Sequence, residues 1–315
     1  MCNLSVIIPT YNRKAYLSDL LQSISQQTYK DVEVIVIDDC STDGTDDFIT
    51  ELIATEKMSV VYHRNDCNMG CGYSRRYGFE IAQGEFVIFA DDDDYYTDNN
   101  FFSNGVEILQ KANDLAFVSG NVQFLNMLSG ENSIGHISLK GLVNGTEYFR
   151  NFQYKWGKPQ STFSTIFRHQ ALSDAEFSTV KMVNDASIYL RALISGNAYI
   201  LPYIIGVYRV HDSNISYSLS GHFIVQNLAE KRNVGMLAIQ RKIIDNFRMW
   251  FYNQAIFTIS WRCYSYISFC DIYTIIKWLC KKGYIYVAFV ALKCYLKYWR
   301  TRFSNAIKRR IVLFR

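Results

Sequence analysis

The sequence FVIFADDDD, Phe86 to Asp94, places four consecutive aspartates directly after an apolar run. The apolar run predicts a buried strand, so the aspartates stand at its carboxyl end. Two carboxylates about 6 Å apart repel by about 3 kcal/mol at an effective dielectric near ~20, so an enclosed cluster favours a bound cation. Oxygen ligands suit Mg²⁺ or Mn²⁺, held together with substrate phosphates. The run therefore indicates a metal and diphosphate site, and its alternative is a solvated acidic turn.

Three further strand-like runs precede this one and alternate with helical patterns. They cover Ser5–Ile8, Val32–Ile37 and Val60–His63. Such alternation is typical of a parallel sheet covered by helices. The first helical pattern repeats apolar residues at i, i+3, i+4 and i+7. These residues are Leu17, Leu20, Leu21 and Ile24.

The predicted strands end in polar residues. In open sheets of this kind, ligands bind outside the carboxyl ends of the strands. Those ends hold Pro9–Asn12, Asp38–Asp39 and Asp91–Asp94. We therefore expect three polar clusters to converge on one edge of the sheet.

The pattern changes twice further along the chain. From about residue 115 it becomes mixed, with short strands at Ala116–Val118 and Gly206–Val210 and a helix beginning near Asp185. We interpret residues 1–220 as one α/β domain with two halves, residues 1–114 and residues 115–220. Residues 221–315 are predicted to form a separate helical region.

Charge is distributed unevenly along the 315 residues. Residues 221–315 carry 17 Lys and Arg against 3 Asp and Glu, whereas residues 1–220 carry 16 against 26. The basic tail is also rich in aromatic residues, which favours amphipathic helices at an anionic membrane surface. A helical core packed on the catalytic domain or an oligomer contact is the alternative. No nucleic-acid motif accompanies the charge, so we expect no nucleic-acid partner.

Two kinds of segment are missing from the sequence. The N-terminus has no basic region followed by an apolar segment and a cleavage site, so we expect a chain that is not secreted. No apolar run reaches the ~18 to 20 residues of a membrane span. We therefore expect a cytoplasmic protein, peripherally attached to the inner face of the membrane. The eight cysteines include no Cys-x-x-Cys pair and are expected to stay reduced.

Several motifs occur together and in order. They are Val6–Asn12, Val36–Thr45, Asn68–Gly70 with Arg75 and Gly78, and Gly84–Phe86 leading into Asp91–Asp94. In this combination the sequence resembles glycosyltransferase family 2 over roughly residues 3–213. The family comprises inverting GT-A fold enzymes that move a sugar from a nucleotide diphosphate donor. The resemblance implies a Rossmann-like mixed sheet flanked by helices. It also implies that residues 1–114 form the half that binds the nucleotide sugar and residues 115–220 the acceptor half.

The resemblance implies a nucleotide-sugar site at the first two strand ends. Asp39 would accept a hydrogen bond from the nucleotide base, with Pro9, Thr10 and Tyr11 forming the wall beside it. Arg75 would supply positive charge to the donor phosphates, for which its planar guanidinium is suited. The alternatives are that Asp39 only caps the following turn and that Arg75 only pairs with nearby acids.

The resemblance also assigns the aspartate run to a bound Mg²⁺ or Mn²⁺. Asp93 is the expected direct ligand, and Asp91 completes the Asp-x-Asp pattern of the family. Asp92 would hold the donor ribose or stand behind the metal ligands. His211, in the segment Tyr208 to His211, would ligate the metal or contact the diphosphate, and a structural role is its alternative.

The family requires a base that takes the proton of the acceptor hydroxyl. Asp185 matches that carboxylate, which family members often present as Glu-Asp. This chain has Asn184 at the first position, so its acceptor contacts are expected to differ. The alternative is that Asp185 caps the helix that begins there.

These expectations combine into one predicted function. The chain is expected to be an inverting hexosyl- or N-acetylhexosaminyltransferase that uses a UDP-sugar. The resemblance implies a saccharide acceptor, lipid-linked as in many bacterial members of the family, during synthesis of a cell-surface polysaccharide. The rival is a non-catalytic protein that binds a nucleotide sugar or acts as a scaffold at the membrane. The sequence leaves the oligomeric state open.

Overall fold

The computed structural model describes most of the chain. The described residues are 3–56, 58–135, 137–181, 183–212, 220–264 and 267–313, with side chains described except at 262–264 and 302–313. The chain forms two compact units. The first comprises Met1–His211 together with Gln240–Ile243, and the second comprises Asp212–Ile239 together with Ile244–Arg315.

One mixed sheet organises the first unit, and ten strands of the described residues belong to it. The strands are β1 (Leu4–Thr10), β2 (Val32–Asp38), β3 (Val60–Arg64), β4 (Phe86–Phe89), β5 (Tyr95–Tyr96), β6 (Leu115–Asn126), β7 (Asn132–Gly135), β8 (Gly141–Val143), β9 (Thr165–Arg168) and β10 (Asn197–Val210). Their order is β3-β2-β1-β4-β9-β6-β10-β5, while β7 pairs with β6 and β8 with β10.

Helices follow most of the strands in the first unit. They are α1 (Lys14–Ser25), α2 (Thr45–Ala54), α3 (Cys71–Ile81), α4 (Phe101–Lys111), α5 (Gly145–Asn151), α6 (His169–Asp174) and α7 (Asp185–Ser195). Strands β3, β2, β1 and β4 run parallel, whereas β9 is antiparallel to both β4 and β6. The predicted mixed sheet flanked by helices is therefore confirmed.

The predicted apolar stripe of α1 faces the core. Leu17, Leu20, Leu21 and Ile24 are all buried. They pack in a cluster with β1, β2 and β4, whose apolar side chains are almost fully enclosed. This packing fixes α1, and therefore the residues at its start, against the carboxyl edge of the sheet.

The second half of the sheet is longer than its apolar pattern predicts. Ala116–Val118 and Gly206–Val210 were expected as short strands, but β6 and β10 extend far beyond them. The later part of β6 is only partly buried and carries polar residues such as Asn121 and Gln123. Because the alternation of apolar residues is lost there, the pattern marks only the buried half of the strand.

Helix α7 is buried on every side. Ala186, Tyr189 and Leu190 on one face are buried, and Ile188 and Ala192 on other faces are buried as well. The helix packs against α5, α6 and β6. Asp185 therefore begins a helix whose position is fixed by the core.

Four helices make up most of the second unit. They are α8 (Gly221–Gln240), α9 (Phe247–Tyr264), α10 (Phe269–Lys281) and α11 (Ile285–Leu313). The predicted helical character of this region is confirmed. Lys231 on α8 donates to Gln254 Oε1 at 3.1 Å and to Thr258 Oγ1 at 2.9 Å on α9. Burial lowers the pKa of Lys231 to about 7.

Within the described residues, none of the helices combines the length and the apolar character needed to cross a bilayer. The six cysteines whose side chains are described are free thiols.

A close contact between β5 and β10 holds the aspartate run in place. Gly206 on β10 lies beside Tyr96, and β5 begins directly after Asp94. A Cβ atom at Gly206 would lie 2.5 Å from the carbonyl oxygen of Tyr95 and 2.8 Å from a ring carbon of Phe163. The strand can approach this closely only because residue 206 lacks a side chain.

We expect Gly206→Ala to lower the free energy of unfolding by about 1 to 3 kcal/mol, because the backbone of Tyr95 must move. Urea denaturation followed by circular dichroism measures the change. Gly157→Ala is the matched control, since its Cβ would meet nothing closer than 4.0 Å. Equal stability of the two variants would show that the contact at Gly206 is not restrictive.

Candidate active site

Parallel pairing brings three predicted clusters to one edge of the sheet. β1 lies between β2 and β4 and is parallel to both. Thr10 at the end of β1 is opposite Asp38 at the end of β2, and Ala90 donates its backbone N–H to Ile7 at 2.9 Å. The residues that follow these strands therefore share one edge, as expected for this topology.

Asp39 organises the loop that leads into α3. Its carboxylate accepts the backbone N–H groups of Met69 and Gly70, both at 2.7 Å, and the side-chain amide of Asn65 at 2.9 Å. Asp39 is itself almost fully buried. A carboxylate has about four lone-pair positions, so one acceptor position is left for a further N–H donor.

The neighbouring Asp38 performs the capping that was considered for Asp39. Asp38 Oδ1 accepts the backbone N–H of Ser41 at 2.9 Å, and Oδ2 accepts the hydroxyl of Tyr62 at 2.8 Å. Both carboxyl oxygens of Asp38 are thus used within the fold. The capping role belongs to Asp38, and Asp39 is directed at the 65–70 loop.

The three residues expected to form the wall of the nucleotide-base site differ in exposure. Pro9 is buried within β1, and Thr10 is buried with its hydroxyl donated to Asp92 Oδ2 at 2.8 Å. Tyr11 is 46% exposed. Of these three side chains, the Tyr11 ring is the one that is open to solvent.

Asp92 is enclosed by the end of β1 and the start of α1. Besides the Thr10 hydroxyl, it accepts Arg13 Nη1 at 3.0 Å on Oδ1. Burial raises the pKa of Asp92 to about 7, despite the opposing charge of Arg13. These contacts place Asp92 behind the site, where it supports its neighbours.

Asp93 is the point at which several groups converge. Its Oδ2 lies 2.8 Å from Arg13 Nη1 and 3.0 Å from His211 Nε2. The His211 ring stacks on Tyr16 with 5.3 Å between ring centroids. The structure thus brings together Asp93 and His211, which are 118 residues apart in the chain.

Asp94 joins the aspartate run to the second half of the sheet. It accepts the backbone N–H of Arg209 at 3.2 Å and the hydroxyl of Ser161 at 3.4 Å. Burial, followed by repulsion from Asp93 and Asp91, raises its pKa well above the ordinary value. A protonated, structural carboxyl group is the form that this environment favours.

Arg75 connects the aspartate run to Asp185, the expected proton acceptor. It pairs with Asp91 through Nη2, and its Nη1 lies 3.8 Å from Asp185 Oδ1. Its Nε is buried and has no hydrogen-bond partner among the described residues. Arg75 therefore keeps donor capacity that its two ion pairs do not satisfy.

Asp185 is free of the capping role because Asn184 performs it. The Asn184 side chain accepts the backbone N–H of Ser187, and the Ser187 hydroxyl accepts the Asn184 N–H, both at 3.0 Å. The position at which this chain departs from the Glu-Asp pattern is thus the N-cap of α7. The carboxylate of Asp185 is left partly exposed at the site.

Two cations flank Asp185. Lys158 Nζ lies 3.0 Å from Oδ2, and Arg75 lies near Oδ1. Removal from water alone would raise the pKa of Asp185, but the charges of Lys158 and Arg75 outweigh this effect and lower it. The carboxylate is therefore ionised at neutral pH, as a proton acceptor must be.

The side chains present fit a divalent metal held jointly with a ligand. Asp93 and His211 converge, and carboxylate oxygens suit Mg²⁺ or Mn²⁺. In the described parts of the chain, no group of three acidic, histidine or cysteine residues is arranged to hold a metal. A pair of protein ligands suits a metal whose other positions are filled by diphosphate oxygens and water. Asp91, paired with Arg75, stays a predicted ligand.

Three residues of the site escaped the sequence reasoning. They are Arg13, Asn65 and Lys158. Arg13 follows the polar end of β1, so its position offered a signal. Lys158 lies in an irregular segment between α5 and β9, where neither periodicity nor a motif marks it. Its approach to Asp185 depends entirely on tertiary folding.

Comparison with known families agrees with this geometry. The model described as Glycosyl transferase family 2 matches residues 5–174, more than half of the chain. This chain belongs to glycosyl transferase family 2. The predicted family is therefore confirmed.

Curated relatives of this family 2 protein include named transferases of bacterial saccharides. A Campylobacter jejuni GalNAc(5)-diNAcBac-PP-undecaprenol beta-1,3-glucosyltransferase is 29% identical over 202 residues, which are 64% of this chain and 62% of the relative. The chain spans smaller shares of the other curated relatives compared with it.

Solved structures share the fold. S. aureus TarS 1–349 in complex with UDP-GlcNAc superposes with a TM-score of 0.71 at 17% identity, covering 96% of this chain and 92% of that one. A mannosyltransferase from Pyrobaculum calidifontis, in complex with GDP-Man and Mn²⁺, gives 0.52 at 16% identity, covering 93% and 87%. At these identities the likeness establishes the fold.

The contacts of Asp39 generate a prediction about the 65–70 loop. In Asp39→Asn the side chain keeps one acceptor oxygen and turns an NH₂ group towards an N–H donor. We expect the free energy of unfolding to fall by about 1 to 3 kcal/mol, because buried polar groups are left without a partner. Hydrogen exchange at Met69 and Gly70 should become faster by about tenfold or more.

The exposed Asp66 in the same loop provides the control, since Asp66→Asn changes charge equally without touching those amides. Unchanged protection of Met69 and Gly70 in Asp39→Asn would contradict the organising role of Asp39.

Proposed function

We propose that this protein is an inverting, metal-dependent glycosyltransferase that uses a UDP-sugar. The observation that carries the proposal is the chain of contacts from Asp93 through the aspartate run to Arg75 and Asp185. These contacts bring three groups to one edge of the sheet. They are the pair Asp93 and His211, which suits a metal, the cation Arg75, which suits phosphate, and the ionised Asp185. Named relatives that transfer sugars support the same reaction class.

In the proposed reaction, Asp185 accepts the proton of an acceptor hydroxyl. The hydroxyl oxygen forms a bond to the anomeric carbon as the bond from that carbon to the diphosphate oxygen breaks. The bonding electrons leave with the diphosphate, and the configuration at the carbon inverts. No covalent sugar intermediate is formed. A positioned base of this kind contributes about 10² to 10⁴ in rate.

The proposed donor site lies at the carboxyl ends of β1, β2 and β4. Asp39 retains an acceptor position for the N–H edge of uracil, and the half-exposed ring of Tyr11 would form the wall beside the base. Arg75, which lies between Asp91 and Asp185, would supply positive charge to the diphosphate. Asp93 and His211 would hold the metal, with Asp91 the further predicted ligand. When bound, the metal neutralises charge that develops on the departing diphosphate.

A lipid-linked saccharide is the proposed acceptor. The Campylobacter jejuni relative carries an undecaprenol-linked substrate in its name, and other relatives are named for teichuronic acid or poly(ribitol-phosphate). These are cell-surface polymers or their precursors.

Turnover tests the proposal. Release of UDP from UDP-GlcNAc and UDP-glucose is measured with Mn²⁺ and undecaprenyl-diphosphate-linked saccharides. We expect Asp185→Asn to lower kcat by about 10² to 10⁴ while UDP affinity changes little, because the base acts in the chemical step. Asp47→Asn, on the exposed face of α2, removes the same charge and should leave kcat unchanged.

The rival function makes a different prediction for the same assay. A non-catalytic binding protein would bind UDP by calorimetry and release none from any donor, whatever the acceptor. Equal kcat in Asp185→Asn and the unchanged protein would also contradict the proposed base.

We further propose that the second unit binds the anionic inner face of the membrane. One face of α11 carries exposed apolar residues at intervals of four and three. They are Ile285, Phe289, Leu292, Leu296 and Trp299. Exposed Lys293, Lys297 and Arg300 lie beside them. An apolar stripe bordered by cations suits an interfacial helix on anionic lipids.

Vesicle sedimentation tests the membrane proposal. We expect binding to vesicles that contain phosphatidylglycerol and weaker binding to pure phosphatidylcholine. The double variant Phe289→Ser, Leu296→Ser should lose about tenfold or more in affinity, because it lacks two apolar side chains that would leave water on binding. Leu128→Ser removes an apolar side chain from the first unit that is even more exposed, at 73%, and should have no effect.

Sedimentation velocity without vesicles separates the alternative. A stable dimer that dissociates in the Phe289→Ser, Leu296→Ser protein, with no vesicle binding by the unchanged protein, would assign the stripe to a second copy instead.

A further inference from the structure

We propose that Arg13 is a built-in counter-ion of the donor site, which metal and diphosphate must displace together. Arg13 Nη1 lies 2.8 Å from Asp93 Oδ2 and 3.0 Å from Asp92 Oδ1. The same Asp93 oxygen is the one that approaches His211. The inference rests on the proposed function, since it concerns how the donor and its metal enter.

The guanidinium and a metal compete for one carboxylate oxygen. A metal ligated by Asp93 would sit about 2.1 Å from the oxygen atom that Arg13 now contacts. Since Arg13 Nη1 lies 2.8 Å from the same oxygen, the two cations would be within about 5 Å of each other. They repel at that distance where water is largely excluded, and Asp93 is almost fully buried. Arg13 must therefore leave Asp93 before a metal binds there.

The backbone at Arg13 is fixed while its side chain reaches solvent. The preceding Asn12 has a left-handed conformation with φ of 53°, and its Oδ1 accepts the backbone N–H of Thr42 at 2.7 Å. Its own N–H donates to Ser41 Oγ at 2.9 Å. The Arg13 side chain is 23% exposed, so rotation about its own bonds is enough to move the guanidinium.

A metal at Asp93 breaks the pair between Arg13 and that carboxylate. The guanidinium is then left close to a divalent cation, and the two positive charges repel. A diphosphate supplies anionic oxygens that a guanidinium binds well. Metal and nucleotide are therefore expected to bind cooperatively, and each raises the affinity of the other by the same factor.

A titration of the full chain with Mn²⁺ tests this role. Electron paramagnetic resonance measures the bound Mn²⁺, with and without UDP. We expect the unchanged protein to bind Mn²⁺ about tenfold or more tightly when UDP is present. Arg13→Met should bind Mn²⁺ alone about tenfold more tightly than the unchanged protein, and the gain from UDP should shrink. Arg13→Lys keeps the charge and should restore the dependence on UDP.

Arg76→Met is the matched control. Arg76 is a cation of the same unit that contacts Glu80 and the Val180 carbonyl, away from the aspartate run. We expect its Mn²⁺ binding to equal that of the unchanged protein. Thermal melting checks that each variant is folded, and Arg13→Gln replaces Arg13→Met if the latter melts early.

The inference is overturned if the neutral Arg13 variant binds Mn²⁺ alone no more tightly than the unchanged protein. Weaker binding would overturn it as well, since Arg13 would then help to build the metal site. Either result, with UDP release by the unchanged protein intact, leaves the proposed function standing. Absence of Mn²⁺ binding even with UDP contradicts both.

Discussion

Compensation of negative charge at the carboxyl edge of the sheet is the constraint on which the site depends. Four aspartates follow β4, and the fold encloses three of them almost completely. Carboxylates in such a place must be paired, hydrogen-bonded or protonated. Each solution is present: Arg13 pairs with Asp92 and Asp93, Arg75 pairs with Asp91, and Asp94 has a strongly raised pKa.

Neighbouring polar residues divide structural and chemical work in this protein. Asn184 caps α7, which leaves Asp185 directed at Lys158 and Arg75. Asp38 similarly caps the turn at Ser41, which leaves its neighbour to order a different loop. In both pairs the capping residue fixes the backbone, so the adjacent carboxylate is presented without conformational freedom of its own. The departure from Glu at position 184 has a structural reason.

The sequence predicted the parts of the fold that repeat. Periodicity located α1 and the first four strands, and parallel pairing then brought their polar ends together. It did not predict the length of β6 and β10, because partly buried strands lose the apolar alternation. Nor did it identify Lys158, which lies in an irregular segment and is separated from Asp185 by 27 positions that include β9 and α6. Pairings of this kind depend on tertiary packing that local patterns do not encode.

The central claim is that one donor is surrounded by carboxylates from distant parts of the chain. Anomalous diffraction from crystals grown with UDP and Mn²⁺ tests it most directly. The account predicts a manganese peak about 2.2 Å from a carboxylate oxygen of Asp93, uracil beside Asp39, and Asp185 facing the diphosphate side of the cleft. A manganese peak away from Asp93, or uracil bound remote from Asp39, would contradict it.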